Sequence, residues 1–389
     1  MTTIMIERFE PMKGNETIDK IGVIGINSRA VAKSAKKLGF GVYLVDYFKD
    51  LDTLRSADHV FSLQRDELKP NLREEYSQKR LVEFAIDVLK DKVDSIILTS
   101  KVGCNYNLIN KLENYFEILG NGAKRVERVK KWRKLRRLLK EAGILYPETK
   151  RFKNETEFPC ILRSSRTWKI MSGVIESERE LEIQNREDYL IQRYINGMQV
   201  SASLLSDGER AVTLTLNRQL IGINEFNAEK LTYCGNIVPL KSHLNEKIAE
   251  ISEKLISMSG LVGSVGVDFI ISDEKIYFME INPRFQDTIE NVEKYLGTNL
   301  VKKHLEALKG ILDVPKSGKG CLGKAILFAD KRIRMGNLRI TNVGDIPVEN
   351  AIIQRNEPIC SIYAEGRDNE EVYYDLIRRA QLIQERYCF

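Results

Sequence analysis

Apolar and polar positions alternate most tellingly between Leu261 and Asp287, in LVGSVGVDFIISDEKIYFMEINPRFQD. Two apolar runs flank a polar turn at Ser272–Lys275, the pattern of an antiparallel hairpin. Side chains alternate across a strand, so Ile276, Phe278, Glu280 and Asn282 are expected on one face of the second run. An odd-length loop centred on Glu274 sets Asp268 across from Glu280, whereas a two-residue loop sets it across from Met279. In the first register two carboxylates and an amide oxygen converge at the end of an apolar ribbon. Buried carboxylates are costly without a compensating cation. Hard oxygen ligands of this kind suit Mg²⁺ held together with substrate phosphates. Arg284 follows on the same face, in reach of a phosphate oxygen or a carboxylate. The competing reading is an amphipathic hairpin with a solvated acidic end.

The same patterning places the other elements. Residues 1–17 show no clear periodicity and suit a loose arm or an edge strand. Ile21–Ile26 reads as a buried strand, Arg29–Leu38 as a helix and Val42–Val45 as a strand ending at Asp46, a βαβ opening. Gly22 and Gly25 followed by Asn27 fail the GxGxxG spacing of a dinucleotide fingerprint, although Asp46 lies where a ribose-binding acid would. Doubly wound sheets bind ligands at strand ends, so Asn27, Ser28 and Arg29 face a crevice. A helix near Leu81–Leu89, a strand at Ser95–Leu98 and the polar loop TSKVGCNYN follow. Such a loop carries either function or only a helix cap at Ser100 or Asn105. Val126, Val129, Trp132, Leu135, Leu138 and Leu139 give one amphipathic helix over Lys124–Lys140 with a strongly basic outer face. Gly143 and Pro147 end it. Strands are expected at Pro159–Arg163, Ala211–Leu216, Lys324–Phe328, Ala351–Gln354 and Cys360–Ala364, and helices at Ile248–Ser259 and Glu370–Glu385.

Composition narrows the chemistry. The chain has 389 residues, enough for two or three domains. No apolar run reaches the length of a membrane span, so no membrane partner is expected. The N-terminus lacks a signal-peptide pattern and the six cysteines form no CxxC pair, which predicts a reducing cytoplasmic setting rather than zinc or disulfides. None of the three histidines sits in a motif. The net charge of +6 fits anionic ligands. Nucleic acid is not expected, since the basic helix lacks aromatic interleaving and has no basic counterpart elsewhere.

Asp268 followed by Glu280-Ile281-Asn282-Pro283-Arg284 resembles the metal-binding signature of the ATP-grasp superfamily, an acid and then Glu-x-Asn-x-Arg about a dozen residues later. Other segments resemble that family in the same order. Lys131-Trp132 before LLKEAGILYP is similar to the segment whose lysine precedes a helix ending at Gly-(Ile/Val)-x-x-Pro. The resemblance makes Lys131 the candidate for an α-phosphate contact, with Lys130 as the fallback. Pro159–Arg163 is similar to the strand bearing a phosphate-binding lysine, here Arg163, which can bind phosphate bidentately. The loop after it is glycine-rich in the family but here carries Arg166 and Lys169. YLIQRYING over 189–197 is similar to the adenine hinge. It offers Gln192, Arg193, Tyr194 and Ile195, with Gln199 in place of a ribose-binding Glu. Asn27, Arg29 and Arg218 are candidates for the acceptor side. Gln219, Tyr233 and Asn236 stand near by.

The resemblance implies an α/β and α+β multidomain ATP-grasp fold. Residues 1–120 would form a Rossmann-like pre-ATP-grasp domain. Residues 121–315 would form the ATP-grasp domain, with a lid at about 150–205 and a metal-binding core at about 206–315. Residues 316–389 would form a small β-rich domain like that of the biotin-carboxylase-related branch. The group most similar in the opening and in Asp46-Tyr47-Phe48 is that of archaeal and bacterial predicted ATP-dependent carboligases. The implied activity is an ADP-forming carboxylate–amine ligase using ATP with Mg²⁺ or Mn²⁺ on Asp268, Glu280 and Asn282, assisted by Arg163 and Arg284. Small carboxylate and amine substrates and a homodimer are the implied partners. The alternatives are a phosphotransferase or carboxylase-like enzyme, or a non-catalytic ATP-binding module. A true biotin carboxylase is disfavoured, because Arg284-Phe285-Gln286 continues as Asp287-Thr288 rather than Val-Glu-His.

Overall fold

Short apolar runs alternating with amphipathic helices produce a doubly wound unit at the start of the chain. The computed structural model describes residues 18–63, 77–151, 156–180 and 188–389; the expected arm over 1–17 lies outside them. Strands β1 (Lys20–Ile24), β2 (Gly41–Asp46), β3 (His59–Ser62), β4 (Ser95–Leu98) and β5 (Glu117–Ile118) form a parallel sheet in the order β3-β2-β1-β4-β5. Helices α1 (Arg29–Lys36), α2 (Gln78–Leu89) and α3 (Tyr106–Leu112) connect them. Asp46, at the carboxyl end of β2, accepts the backbone N–H groups of Asn27 at 3.1 Å, Ser28 at 2.5 Å and Phe48 at 3.0 Å. It therefore shapes the β1–α1 turn from within, and burial pushes its carboxyl up to about 6.

The expected single helix over Lys124–Lys140 is two. α4 spans Ala123–Lys130 and α5 spans Trp132–Ala142, with Lys131 extended between them. The apolar period runs unbroken through the junction, which is why patterning alone joined them. α5 ends on the left-handed Gly143, as expected.

A small antiparallel sheet follows, in the order β6-β8-β7, from β6 (Thr149–Arg151), β7 (Cys160–Ser164) and β8 (Tyr189–Arg193). The main sheet holds β9 (Met198–Asp207), β10 (Ala211–Ile221), β11 (Tyr233–Val238), β12 (Val262–Ser272) and β13 (Lys275–Asn282). β14 (Cys321–Phe328), β16 (Val343–Gly344) and β18 (Pro358–Gly366) extend the same sheet, while β15 (Ile333–Arg334) pairs with β17 (Ile352–Ile353). The order is β13-β12-β9-β10-β11-β14-β18-β16, so the C-terminal strands continue the core sheet, and β9 belongs to it rather than to the small sheet. One apolar cluster joins α5 and α6 (Asn245–Ser259) to Val267, Phe269, Phe278 and Ile281 of the hairpin. α7 (Ile289–Leu296) and α8 (Leu300–Leu308) pack towards the first sheet, and α9 (Asn369–Tyr387) covers β14 and β18.

The hairpin corrects the sequence reading in one respect. Its turn is a two-residue loop, Asp273–Glu274, both at positive φ, the geometry of a type I′ turn. That turn alone would set Asp268 across from Met279. The ladder instead slips between Asp268 and Phe269, so Met279 is the extra residue of a β-bulge and Asp268 pairs with Glu280. A one-residue slip exchanges faces. Ile276 and Phe278 therefore point into the core while Glu280 and Asn282 do not, contrary to the single face expected for all four.

His304 on α8 locks β12 to the first sheet. It accepts the Ser264 N–H at Nδ1 (2.8 Å), and Nε2 donates to the Leu119 carbonyl at 3.1 Å. Gly263, at φ +73°, lets the ring approach, since a Cβ there would lie 2.3 Å from it. Burial holds the imidazole down at about 4. An unfolded chain would take up that proton near pH 6.5. The contribution of His304 to stability is thus present above pH 6.5 and is lost as pH falls towards 4. Between pH 7 and pH 4, urea unfolding should show the wild type losing about 3 kcal/mol more than a His304→Gln variant. Parallel losses in the two proteins would contradict this.

Candidate active site

The bulged hairpin brings Asp268, Glu280 and Asn282 together. Asn282 Nδ2 donates to Asp268 Oδ2 at 2.8 Å, and Gln219 Nε2 donates to Oδ1 at 3.1 Å. Burial first, and then the neighbouring Glu280, push the Asp268 carboxyl up to about 7. Glu280 forms an ion pair with Lys130, whose side chain is 2% exposed. Burial raises the Glu280 carboxyl, but Lys130, Arg163 and Arg284 outweigh it and hold it below its ordinary value. Two adjoining carboxylates with an amide oxygen form a site short of positive charge, which fits a divalent cation. Among the described residues no three His, Cys, Asp or Glu side chains gather as a metal cage. The fit is therefore to an ion that shares its coordination with a ligand's phosphates.

A ring of cations surrounds the pair. Arg163, 1% exposed, donates from Nε to Gln192 Oε1 at 2.8 Å and from Nη1 to the Trp168 carbonyl at 2.9 Å. Its guanidinium lies over the Trp168 ring, 4.5 Å from the centroid. Burial lowers it to about 10, against the pull of Glu280 and Asp268. Arg284 donates to the Phe285 carbonyl at 2.6 Å and reaches Asn282 Oδ1 at 3.5 Å, while its Nε is buried without a partner. The 99–107 loop adds Gly103 against the Arg284 stem, the Cys104 thiol on its guanidinium, and Lys101. Burial and then Lys169 lower the Lys101 ammonium, against the pull of Glu280. Four cations (Lys101, Lys130, Arg163 and Arg284) thus face two carboxylates, an arrangement for a polyanion carrying its own metal ion.

An apolar wall adjoins this centre. Ile195 packs with Ile270, Tyr277 and Met279, and Gln199 pairs in register with Ile270 at the start of β9. Gly197 lets the hinge cross β12, because a Cβ there would lie 2.2 Å from the Ile271 carbonyl. Tyr194 donates its N–H to the Pro159 carbonyl and Arg193 to that of Glu148, so both tie the hinge by main chain. Gln192 is fully buried and committed to Arg163 and Thr149. It holds the arginine rather than presenting an edge to a base.

Four expected residues stand elsewhere. Lys131 points outward and pairs with Glu127, because the break between α4 and α5 turns Lys130 inward instead. Arg218 pairs with Glu370 and lies over Tyr373 on the far face of β10; its neighbour Gln219 faces Asp268. Arg29 is 4% exposed and spent on Asp345 (2.8 Å), Glu290 (2.9 Å) and Asp52 (3.2 Å), while Asn27 also donates to Asp345. They form a clasp between the first sheet, α7 and the C-terminal strands. Trp168 was missed. It is fully buried at φ +58°, stacks on Trp132 with centroids 4.1 Å apart, and donates Nε1–H to the bulge carbonyl of Met279. A tryptophan in a loop that the family keeps glycine-rich was the available signal.

Comparison with known proteins follows the same outline. Residues 129–288 match the family model of the ATP-grasp domain. An uncharacterized protein of Methanocaldococcus jannaschii is 32% identical over 358 residues, covering 88% of this chain and 87% of that protein. Tyramine–L-glutamate ligase of the same organism is 38% identical over 104 residues, 26% of this chain and 31% of that enzyme. Biotin carboxylase of Campylobacter jejuni, in a beta-gamma-ATP complex, superimposes with a TM-score of 0.70 at 13% identity over 95% of this chain and 91% of its own, a likeness of fold. The chain belongs to the ATP-grasp superfamily, and its fold is that of biotin carboxylase.

Removing the Lys130 ammonium strands Glu280 beside Asp268. Calorimetry with Mg²⁺–ATP should show Lys130→Met weakening binding at least about tenfold, roughly 1.4 kcal/mol. Lys131→Met should stay within about twofold, its partner being a surface glutamate. Equal effects from the two would refute the inward assignment of Lys130.

Proposed function

We propose that this protein is an ADP-forming ligase that activates a small carboxylate as an acyl phosphate and joins it to an amine. The observation that carries this reading is the joining of Asp268, Glu280 and Asn282 to a ring of four cations beside an apolar wall. Ile195, Ile270, Tyr277 and Met279 cover the base of ATP, and Gln199 accepts from its ribose. Lys130, Arg163 and Arg284 hold the phosphate oxygens and stabilise the charge that develops on them. Mg²⁺ or Mn²⁺ held by Asp268, Glu280 and Asn282 would neutralise phosphate charge there. The substrate carboxylate oxygen takes the γ-phosphoryl group and ADP departs. The amine then attacks the acyl carbon, phosphate leaves, and the amine's extra proton passes to solvent. The small sheet of β6, β7 and β8 acts as the lid that keeps water from the acyl phosphate. The first parallel sheet and the C-terminal strands β14, β16 and β18 frame the acceptor side. The relative named as a ligase supports this reading over a phosphotransferase. A homodimer is consistent with it.

The test is a screen of acids and amines for release of ADP and phosphate. Release should require both substrates together, and Glu280→Gln should reduce it by at least about a hundredfold. ADP release with an acid alone at the full rate would favour the phosphotransferase. Full turnover by Glu280→Gln would remove the metal assignment.

A further inference from the structure

The chain's excess positive charge is concentrated in one place. Between residues 123 and 143 there are ten lysines and arginines against two glutamates, a local +8 in a chain whose total is +6. Part of this charge is paired: Lys130 with Glu280, and Lys131 and Lys134 with Glu127. The exposed stripe Arg133, Arg136, Arg137 and Lys140 is not, and neither is Arg151 on β6; among the described residues none of the five has an ion-pair partner. Like charges three and four residues apart on a helix cost about 0.2–0.5 kcal/mol per pair. A bound polyanion would turn that cost into attraction.

These five side chains line one cleft of about 960 Å³ between α5 and the small sheet. Leu190 and the edge of Trp132 give it an apolar floor. Lys150, also on its rim, is already paired with Glu148, and Glu141 is the one carboxylate on the lining, against the five unpaired cations. The stacked Trp132–Trp168 pair stands between the cleft and the carboxylate centre, Trp168 being tied to Met279 beside Glu280. The cleft is thus a second basin of positive charge, walled off from the first. Its volume suits a compact ligand of nucleotide size rather than an extended polymer, which would need a continuous track.

We infer that the cleft between α5 and β6 is a binding site for a small, multiply phosphorylated molecule, held by Arg133, Arg136, Arg137, Lys140 and Arg151. Guanidinium forks match phosphate oxygens bidentately, which explains the predominance of arginine here. The ligand lies against Trp132, one of only two tryptophans in the chain.

Inorganic tripolyphosphate without magnesium is the probe, used on the full chain by calorimetry and by tryptophan fluorescence. The wild type should bind it and change its emission, with an affinity that falls steeply with salt. Arg136→Gln/Arg137→Gln, both exposed and remote from the carboxylates, should weaken it at least about tenfold and leave Mg²⁺–ATP binding unchanged. Glu280→Gln should do the reverse. Unchanged tripolyphosphate binding in the double variant overturns the proposal, as does loss of that binding in Glu280→Gln. A short RNA that binds the wild type far more tightly than tripolyphosphate, and loses that affinity in the double variant, also overturns the small-ligand assignment.

Discussion

Everything at the centre of this protein turns on two carboxylates held side by side. Asp268 and Glu280 repel one another, and the chain meets that repulsion in two ways. Lys130 neutralises Glu280, while Asn282 and Gln219 donate to Asp268 without adding charge. Asp268 is left with its carboxyl pushed up to about 7, short of positive charge. A fully compensated pair would be inert and an uncompensated one would not survive burial. The intermediate state leaves room for a divalent cation.

That pair exists because of a bulge. A type I′ turn fixes the register of the hairpin, and in that register Asp268 would have faced Met279. Inserting Met279 as an extra residue realigns the carboxylates and frees the Met279 carbonyl, which receives Trp168. Trp168 lies beneath Arg163, which Gln192 orients from the other side. One irregularity in β13 thus positions both the carboxylate pair and Arg163. Far from it, Arg29 gathers Asp52, Glu290 and Asp345 and binds the first sheet to the C-terminal strands.

Much of this was legible in the sequence. The hairpin and the βαβ opening follow from period and spacing, because those patterns are local; the acid followed by Glu-x-Asn-x-Arg was legible through a family resemblance, and the basic run read as one helix is two. What was not legible depended on one-residue offsets. Lys131 was preferred to its fallback Lys130, and Arg218 was named beside Gln219, yet Lys130 and Gln219 are the ones turned inward, since a helix break or a strand's facing decides which neighbour does so. The bulge is invisible for the same reason. It shows only when two strands are laid side by side. Arg29 looked like a substrate residue because it sits at a strand end. Its three acidic partners come from sites between 23 and 316 residues along the chain.

The central claim is that the bulged hairpin makes Asp268 a ligand of the divalent ion. Electron paramagnetic resonance of Mn²⁺, titrated into the protein with a non-hydrolysable ATP analogue, tests it directly. The account predicts that the Asp268→Asn variant binds Mn²⁺ in that ternary complex at least about tenfold more weakly than the wild type. Equal Mn²⁺ affinity in the two proteins would contradict it.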